Sequence, residues 1–309
     1  MRELRTNGEQ GEILFCRPDF IDTTKLYQIL RGVIRLTPED FKNVYSHFRR
    51  SFKQSGDNDF VWRRVSVVRR KLRPIRATCP GIDLPSWIEA PNSDQTLVIL
   101  GQDPLRDEDS QDRVVIGTPY SFHSAARRES YPSSKYWDAI HHLHRVGFNL
   151  YLTDVRKFWS KETSKATSRA INAPASDQIN KAILQKELDL IAPRDDSRVV
   201  VVALGREASL ALNMPFPGIR SKAKIEKRDG RLVLRVMHLS GIAQHWRAVY
   251  LKTHGMNPTS GSVGIAKIIV TAIKRFRAQG EREQPGVRTT IRQWAPSPAR
   301  PADSEAPSL

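Results

Sequence analysis

Four short apolar runs divide the middle of the sequence. They are TLVILG at 96–101, FNLYLT at 148–153, RVVVVALG at 198–205 and RLVLRVM at 231–237. Continuous Val, Ile and Leu runs of this length are typical of strands buried on both faces of a parallel sheet. The connections, including 136–146 and 175–191, are long enough for crossover helices, and a last helix is expected over 263–277. The pattern predicts an α/β domain over 96–278, a three-layer α/β/α fold with a mainly parallel four-stranded central sheet.

The residues on either side of this domain have different patterns. Helical spacing of apolar residues covers 24–31 and 37–52, and a basic stretch follows over 63–76. We therefore expect residues 1–95 to form a helical, basic N-terminal region. Its arginines either face phosphate or lie on a solvated helix face. Residues 279–309 are rich in Gln, Arg, Pro and Ser, which is typical of a disordered tail.

The charge of the chain favours a polyanionic partner. Fifty Lys and Arg residues against 33 Asp and Glu residues give a formal net charge of +17, and such a field attracts nucleic-acid phosphates. The alternative is a basic but merely solvated surface. Because no apolar run reaches the length of a membrane span and the first residues do not resemble a secretory signal, we expect a cytoplasmic protein that binds DNA rather than a membrane.

Metal and cluster chemistry has few candidate ligands. Cys16 and Cys79 are too few for a disulfide framework or a four-cysteine iron–sulfur cluster. His141, His142 and His144 do not all share one face of a helix, so a solvated or DNA-facing helix is favoured over a metal site. We expect a monomer with no iron–sulfur cluster and no other cofactor.

Polar motifs follow each of the four predicted strands. They are GQDP at 101–104, with GTPYS at 117–121 after it, YLTDV at 151–155, VALG at 202–205 and HLSGIAQHWR at 238–247. Each is a weak signal alone, but as an ordered set they resemble the uracil-DNA glycosylase superfamily over about residues 93–278. The resemblance implies an enzyme that flips a base out of DNA and hydrolyses its N-glycosidic bond.

The resemblance assigns the catalytic roles to two residues. Asp103 falls on the aspartate that orients the attacking water and stabilises the cationic sugar. His238 falls on the histidine that donates a hydrogen bond to O2 of the departing base. By the same resemblance the backbone of Gln102 contacts the base and Pro104 presses on the DNA backbone.

The residues expected to choose the base depart from the family pattern. Tyr120 falls on the aromatic residue that stacks on the flipped base, with Phe122 as the alternative if the alignment is shifted by two residues. Leu105 replaces the tyrosine that blocks a C5 substituent. Asp154 replaces the asparagine that reads uracil, and a carboxylate offers only acceptors, which suit the cytosine N4 amino group. These differences favour a 5-modified cytosine in foreign, phage DNA.

The last motif is expected to contact DNA. Ile242 would fill the gap left by the flipped base, and the other expected contacts are Ser240, Gly241, Gln244 and Arg247. Three alternatives stay open at this point. The first is that the substrate is uracil, as in base-excision repair. The second is that the chain is a non-catalytic DNA-binding protein with a glycosylase fold. The third is that it is an α/β protein that binds a nucleotide or another small molecule.

Overall fold

The structure is a computed structural model. It describes residues 13–54, 60–69, 81–102, 113–130, 133–159, 174–239 and 244–283. Among the expected site residues, Asp103, Pro104, Leu105, Ser240, Gly241 and Ile242 lie outside this part of the chain.

The strands and helices of the described residues alternate along the chain. The strands are β1 (Leu14–Phe15), β2 (Val61–Arg64), β3 (Gly81–Asp83), β4 (Ser86–Glu89), β5 (Thr96–Gly101), β6 (Arg113–Gly117), β7 (Asn149–Asp154), β8 (Phe158–Trp159), β9 (Val199–Leu204), β10 (Ile225–Arg228) and β11 (Arg231–Val236). The helices are α1 (Thr23–Leu30), α2 (Pro38–Lys53), α3 (Ala125–Glu129), α4 (Ser133–Arg145), α5 (Pro174–Ile191), α6 (Gly205–Ala211), α7 (Gln244–Thr253) and α8 (Gly261–Glu283). Short 3-10 turns lie at Val65–Val67, Pro119–Ser121 and Pro258–Ser260.

The four strands expected from the sequence form the centre of one large sheet. The strand order of this sheet is β1-β4-β7-β5-β9-β11-β10. β7, β5, β9 and β11 run parallel to one another, and nearly every residue in them is buried. With helices flanking the sheet, the predicted α/β class and three-layer arrangement are confirmed. Within the described residues the sheet has seven strands rather than four, because antiparallel strands extend it at both edges.

The N-terminal region is not purely helical. α1 and α2 form as expected, with Thr37 capping α2 and Pro38 at its start. However, β1 and β4 join the central sheet. These strands are two and four residues long, which is too short for a clear periodic signal in the sequence. The described part of the N-terminal region therefore shares the central sheet with the rest of the fold.

A second, smaller sheet stands beside the first. Its strand order is β2-β6-β3-β8. The basic stretch at 63–76 was expected to belong to a helical region. It begins instead in the edge strand β2, and the structure describes it only as far as Arg69. β6 leads directly into the turn at Pro119–Ser121, so this sheet positions the GTPYS motif.

The C-terminal helix is longer than the sequence predicted. α8 continues to Glu283, past the expected end at 277 and into the segment predicted to be a tail. Residues 284–309 are outside the described part of the chain. Among the described residues, no helix combines the length and apolar character needed to cross a membrane.

Candidate active site

The candidate site lies where the parallel strands end. Gly101 and Asp154 are Cα partners at the last position shared by β5 and β7. The pairing continues beyond both strands, since the amide of Val155 donates to the carbonyl of Gly101 (3.1 Å) and that of Arg156 to the carbonyl of Gln102 (3.0 Å). Because parallel strands end at one edge of a sheet, the motifs after these strands are brought together.

The side chains around Gly101 leave no space for a larger residue at this position. A Cβ atom at this position would overlap Oδ1 of Asp154 and would lie 3.4 Å from Oη of Tyr120. Asp154 is 4% exposed, so its carboxyl group has little room to move away. The carboxylate, the phenol and the end of β5 therefore meet at one point.

The backbone at Tyr120 is strained. Tyr120 has φ 58° and ψ 9°, and Ser121 has φ 58°, so two consecutive residues with side chains adopt the left-handed conformation. Such conformations cost on the order of 1–3 kcal/mol each and are concentrated at functional sites. The turn is held by the amide of Ser121, which donates to the carbonyl of Thr118 (2.8 Å). A hydrogen bond between Oγ1 of Thr118 and Nδ1 of His123 (2.9 Å) adds a second constraint.

Tyr120 lies among other aromatic rings and near His238. Its ring centroid is 5.3 Å from that of Phe122, 5.1 Å from that of Tyr136 and 6.5 Å from that of His238. Phe122 is fully buried, whereas Tyr120 is only partly buried. Tyr120 is thus better placed than Phe122 to contact a ligand. Burial, with the nearby charge of Asp154, raises the pKa of Tyr120 well above 10, so the phenol stays neutral.

His238 follows β11 and packs against the start of α6. Gly205 has φ +80°, and a Cβ atom there would lie 3.0 Å from Cβ of His238, so glycine satisfies both the backbone and the packing. Burial lowers the pKa of His238 to about 4, which leaves the imidazole neutral near pH 7. A neutral imidazole has one N–H donor and one acceptor nitrogen.

Arg128 connects the N-terminal region to the site. Its guanidinium donates to the carbonyls of Phe122 (2.6 Å) and Phe52 (2.7 Å) and lies 3.9 Å above the Phe52 ring. Phe48 of the same helix, α2, packs 4.7 Å from the ring of His123. The end of α2 therefore braces the segment that carries Tyr120. No local sequence pattern predicts this role, because the contact between Arg128 and Phe52 joins residues 76 positions apart.

A buried ion pair lies behind β7. Nζ of Lys157 is 2.6 Å from Oε2 of Glu187, and both side chains are almost completely inaccessible. Tyr151 and Thr153 donate to Oε1 of Glu187 at 2.7 and 2.6 Å, and Nζ of Lys157 also donates to Thr153. The backbone amide of Lys157 donates to Oδ1 of Asn180 (3.0 Å). This network fixes the end of β7, from which Asp154 projects.

The described start of α7 changes the expected DNA contacts. Arg247 is only 7% exposed, and its Nη1 donates to the carbonyl of Leu239 (3.4 Å). It therefore supports the segment after His238 rather than presenting its charge at the surface. Trp246, which the sequence reasoning did not single out, is 54% exposed. Gln244 begins α7, and its side chain lies outside the described part.

The expected site residues are therefore partly united. Asp154, Tyr120 and His238 lie together, with Gln102 at the end of β5 and Phe122 behind Tyr120. Asp103 follows Gln102 by one residue in the sequence but is not among the described residues.

The histidines of α4 are engaged in local contacts. The His141 ring stacks on Trp137 with centroids 5.7 Å apart and lies 6.4 Å from His144. Nε2 of His144 donates to the carbonyl of Glu89 (2.9 Å). Across the described residues, no group of three or more His, Cys, Asp or Glu side chains is arranged to hold a metal ion.

Comparison with models of known protein families and with curated proteins found no match for this chain.

Proposed function

We propose that the protein is a monofunctional DNA glycosylase. The observation that carries the proposal is the meeting of Asp154, Tyr120 and the neutral imidazole of His238 at the carboxyl edge of the parallel sheet. A carboxylate, a partly accessible aromatic ring and a neutral hydrogen-bond donor are the groups needed to read, stack and release a flipped base. The net charge of +17 supports DNA as the partner.

The proposed reaction is hydrolysis of the bond between the sugar C1′ and the base nitrogen. The bonding electrons leave with the base, and the N–H of His238 stabilises the negative charge that develops at O2. Asp103 orients a water molecule, accepts its proton as the oxygen bonds to C1′, and offers negative charge to the cationic sugar. The products are an abasic site and the free base, which takes up a proton.

The low pKa of His238 fits this role. A cationic imidazole would be costly at this partly buried position, because desolvation disfavours the charged form. Burial keeps the ring neutral, and a neutral ring donates from one nitrogen only. Gly205 packs closely against the base of the His238 side chain, which restricts its movement and limits the reorganisation required when charge develops on the base.

The proposed substrate is a 5-modified cytosine, as carried by the DNA of some phages. The buried carboxylate of Asp154 presents only acceptors, which match the N4 amino group of cytosine, whereas uracil has an acceptor at O4. Leu105, in place of a blocking tyrosine, is proposed to leave space for a C5 substituent. A defence role against modified foreign DNA follows from this choice of base.

The test is the release of free base from matched oligonucleotides. They would carry cytosine, 5-hydroxymethylcytosine, glucosylated 5-hydroxymethylcytosine or uracil at one position, and alkaline cleavage would detect abasic sites. Release from a 5-modified cytosine alone supports the full proposal. Release from uracil alone retains the glycosylase and rejects the role given to Asp154. If no strand is cleaved while duplex DNA is bound, the chain is a non-catalytic DNA-binding protein. Asp154→Asn is the matched variant, which should shift preference towards uracil.

A further inference from the structure

An open cleft lies in the N-terminal region. None of its lining residues belongs to the candidate active site. Its volume is about 340 Å³, and its lining consists of Tyr27, Arg31, Ile34, Arg35, Leu36, Thr37 and Arg69. Three of these seven residues are arginines, and none is a carboxylate. Such a lining selects for an anion.

The arginines are brought together by backbone pairing between two distant segments. Ile34 and Val68 form an isolated bridge, and the amide of Arg35 donates to the carbonyl of Val67 (2.6 Å). The amide of Arg69 donates to the carbonyl of Val33 (3.0 Å). In addition, Nε of Arg69 donates to the carbonyl of Arg31 (2.9 Å). The cleft is therefore preorganised by the fold rather than assembled by flexible side chains.

The positive charge of the cleft is not neutralised locally. Among the described residues, Arg31, Arg35 and Arg69 form no ion pair with a carboxylate. Asp40, in the first turn of α2, accepts a hydrogen bond from Oγ1 of Thr37 (2.9 Å) and pairs with Arg63 (3.0 Å) rather than with an arginine of the cleft. All three arginines line the same cleft, so an anionic ligand there would be attracted by three positive charges.

The floor of the cleft is apolar and closed. Ile34 and Leu36 are buried, and the hydroxyl of Tyr27 already donates to the carbonyl of Leu36 (2.9 Å). The arginine side chains Arg31 and Arg35 are exposed at its rim. Sites for small molecules usually enclose most of the ligand surface, whereas an open cleft with charged rims suits a polymer that passes through it.

We propose that this arginine cleft binds phosphodiester groups of the DNA backbone and is a second DNA contact outside the active site. The proposal rests on the proposed function in that DNA is the partner. Guanidinium groups bind phosphate oxygens through paired N–H donors, so three of them can grip successive phosphates. The contact is independent of base sequence and increases affinity for any duplex.

The test is the salt dependence of binding to a fluorescein-labelled duplex of unmodified DNA, measured by anisotropy. The variant combines Arg31→Gln, Arg35→Gln and Arg69→Gln. We expect the slope of log Ka against log salt to become shallower by about 2 to 3, since each lost phosphate contact removes about one unit. Affinity at about 0.1 M salt should fall roughly tenfold or more.

The matched control removes equal charge elsewhere on the surface. It combines Arg198→Gln, directly before β9, with Lys227→Gln and Arg228→Gln at the end of β10. This control should retain most of the wild-type slope. A further variant combines Arg31→Lys, Arg35→Lys and Arg69→Lys. It keeps the charge but loses the paired donors and the hydrogen bond from Nε of Arg69 to the carbonyl of Arg31. It should retain most of the slope, which separates charge from local folding.

Several results would overturn the proposal. An unchanged slope in the Gln variant, or an equal loss in the control, would show that the cleft makes no specific contribution. If the Gln variant loses binding of inorganic phosphate but keeps the wild-type salt slope for DNA binding, the cleft is a site for free phosphate. Tight RNA binding that the variant abolishes, with DNA binding unchanged, would indicate a different polymer. Loss of slope in a protein that releases no base is a separate outcome, which would reject the proposed glycosylase activity but support the cleft as a DNA contact.

Discussion

The carboxylate of Asp154 occupies the space that a side chain at Gly101 would need, since a Cβ atom there would overlap Oδ1 of Asp154. The two residues are direct partners at the end of β5 and β7. Tyr120 closes the same point from a third side. The smallest residue in the GQDP motif thus fixes how closely the carboxylate of Asp154 approaches the strand that leads to Asp103.

Gly101→Ala tests this relationship. The added methyl group must displace the buried carboxylate, so we expect base release to fall by at least tenfold and the free energy of unfolding to decrease by about 1–3 kcal/mol. Rates of base release and urea denaturation would measure both effects. Gly280→Ala is the control, because nothing lies within 4 Å of its Cβ position in α8. Wild-type activity in Gly101→Ala would show that Asp154 has no part in the reaction.

The lowered pKa of His238 predicts a specific loss of stability in acid. The pKa is about 4 in the folded protein against 6.5 for an ordinary histidine. Between about pH 6.5 and 4 the unfolded chain binds a proton that the folded protein does not. Stability therefore decreases as the pH falls through this window, and the contribution is complete above it.

His238→Gln should flatten this pH dependence. Urea midpoints of the wild type and the variant would be measured at a series of pH values. The difference between them should be constant above pH 6.5 and should shrink as the pH falls towards 4. For the same reason, base release by the wild type should not show a histidine titration between pH 6 and 8. Parallel midpoints in both proteins would contradict the assignment of a neutral, buried imidazole.

The Lys157–Glu187 pair predicts large losses from single substitutions. Lys157→Met leaves a carboxylate, and Glu187→Leu leaves an ammonium group, at positions with almost no solvent access. Removing one partner of a buried pair costs about 3–5 kcal/mol. Lys157→Met combined with Glu187→Leu should cost less than the sum of the single losses, although Tyr151 and Thr153 also lose their acceptor. Urea denaturation would measure the cycle, and additive losses would contradict the coupling.

Trp246→Ala should weaken DNA binding without affecting the fold. The side chain is 54% exposed at the start of α7, within the motif at 238–247 that is expected to contact DNA. Stacking of an aromatic side chain on a base contributes about 1–3 kcal/mol, so affinity for duplex DNA should fall roughly 5- to 100-fold. Leu210→Ala, at a similarly exposed apolar residue of α6, is the control. Equal affinities for the two variants would exclude Trp246 from the interface.

The central strands could be predicted because their sequences are continuous apolar runs. β5 begins and ends where the pattern indicated, β7 and β9 differ from expectation by one residue at each end, and β11 ends one residue early. β6 was missed, although its sequence RVVIG is apolar and four of its five residues are buried. It is short, and it follows a polar segment without a clear turn signal.

The candidate site was predictable only in part, because motifs identify strand ends but not side-chain directions. Asp154 and His238 were singled out because the motifs at the ends of the apolar runs resemble those of a known superfamily. Arg247 was expected at the surface, but the direction of its side chain depends on which face of α7 packs inwards, and this turns Trp246 outwards instead. Similarly, Lys157 and Glu187 are 30 residues apart, and only the packing of α5 on β7 joins them.

The central claim is that Asp103 and His238 cut the N-glycosidic bond. The most direct measurement compares base release and duplex binding by the wild type, Asp103→Asn, His238→Ala and the control Asp138→Asn, which changes an exposed carboxylate of α4. We predict that the first two variants release base at least about 100-fold more slowly while binding DNA as the wild type does, and that the control is unchanged. Wild-type rates of base release in either Asp103→Asn or His238→Ala would contradict the account.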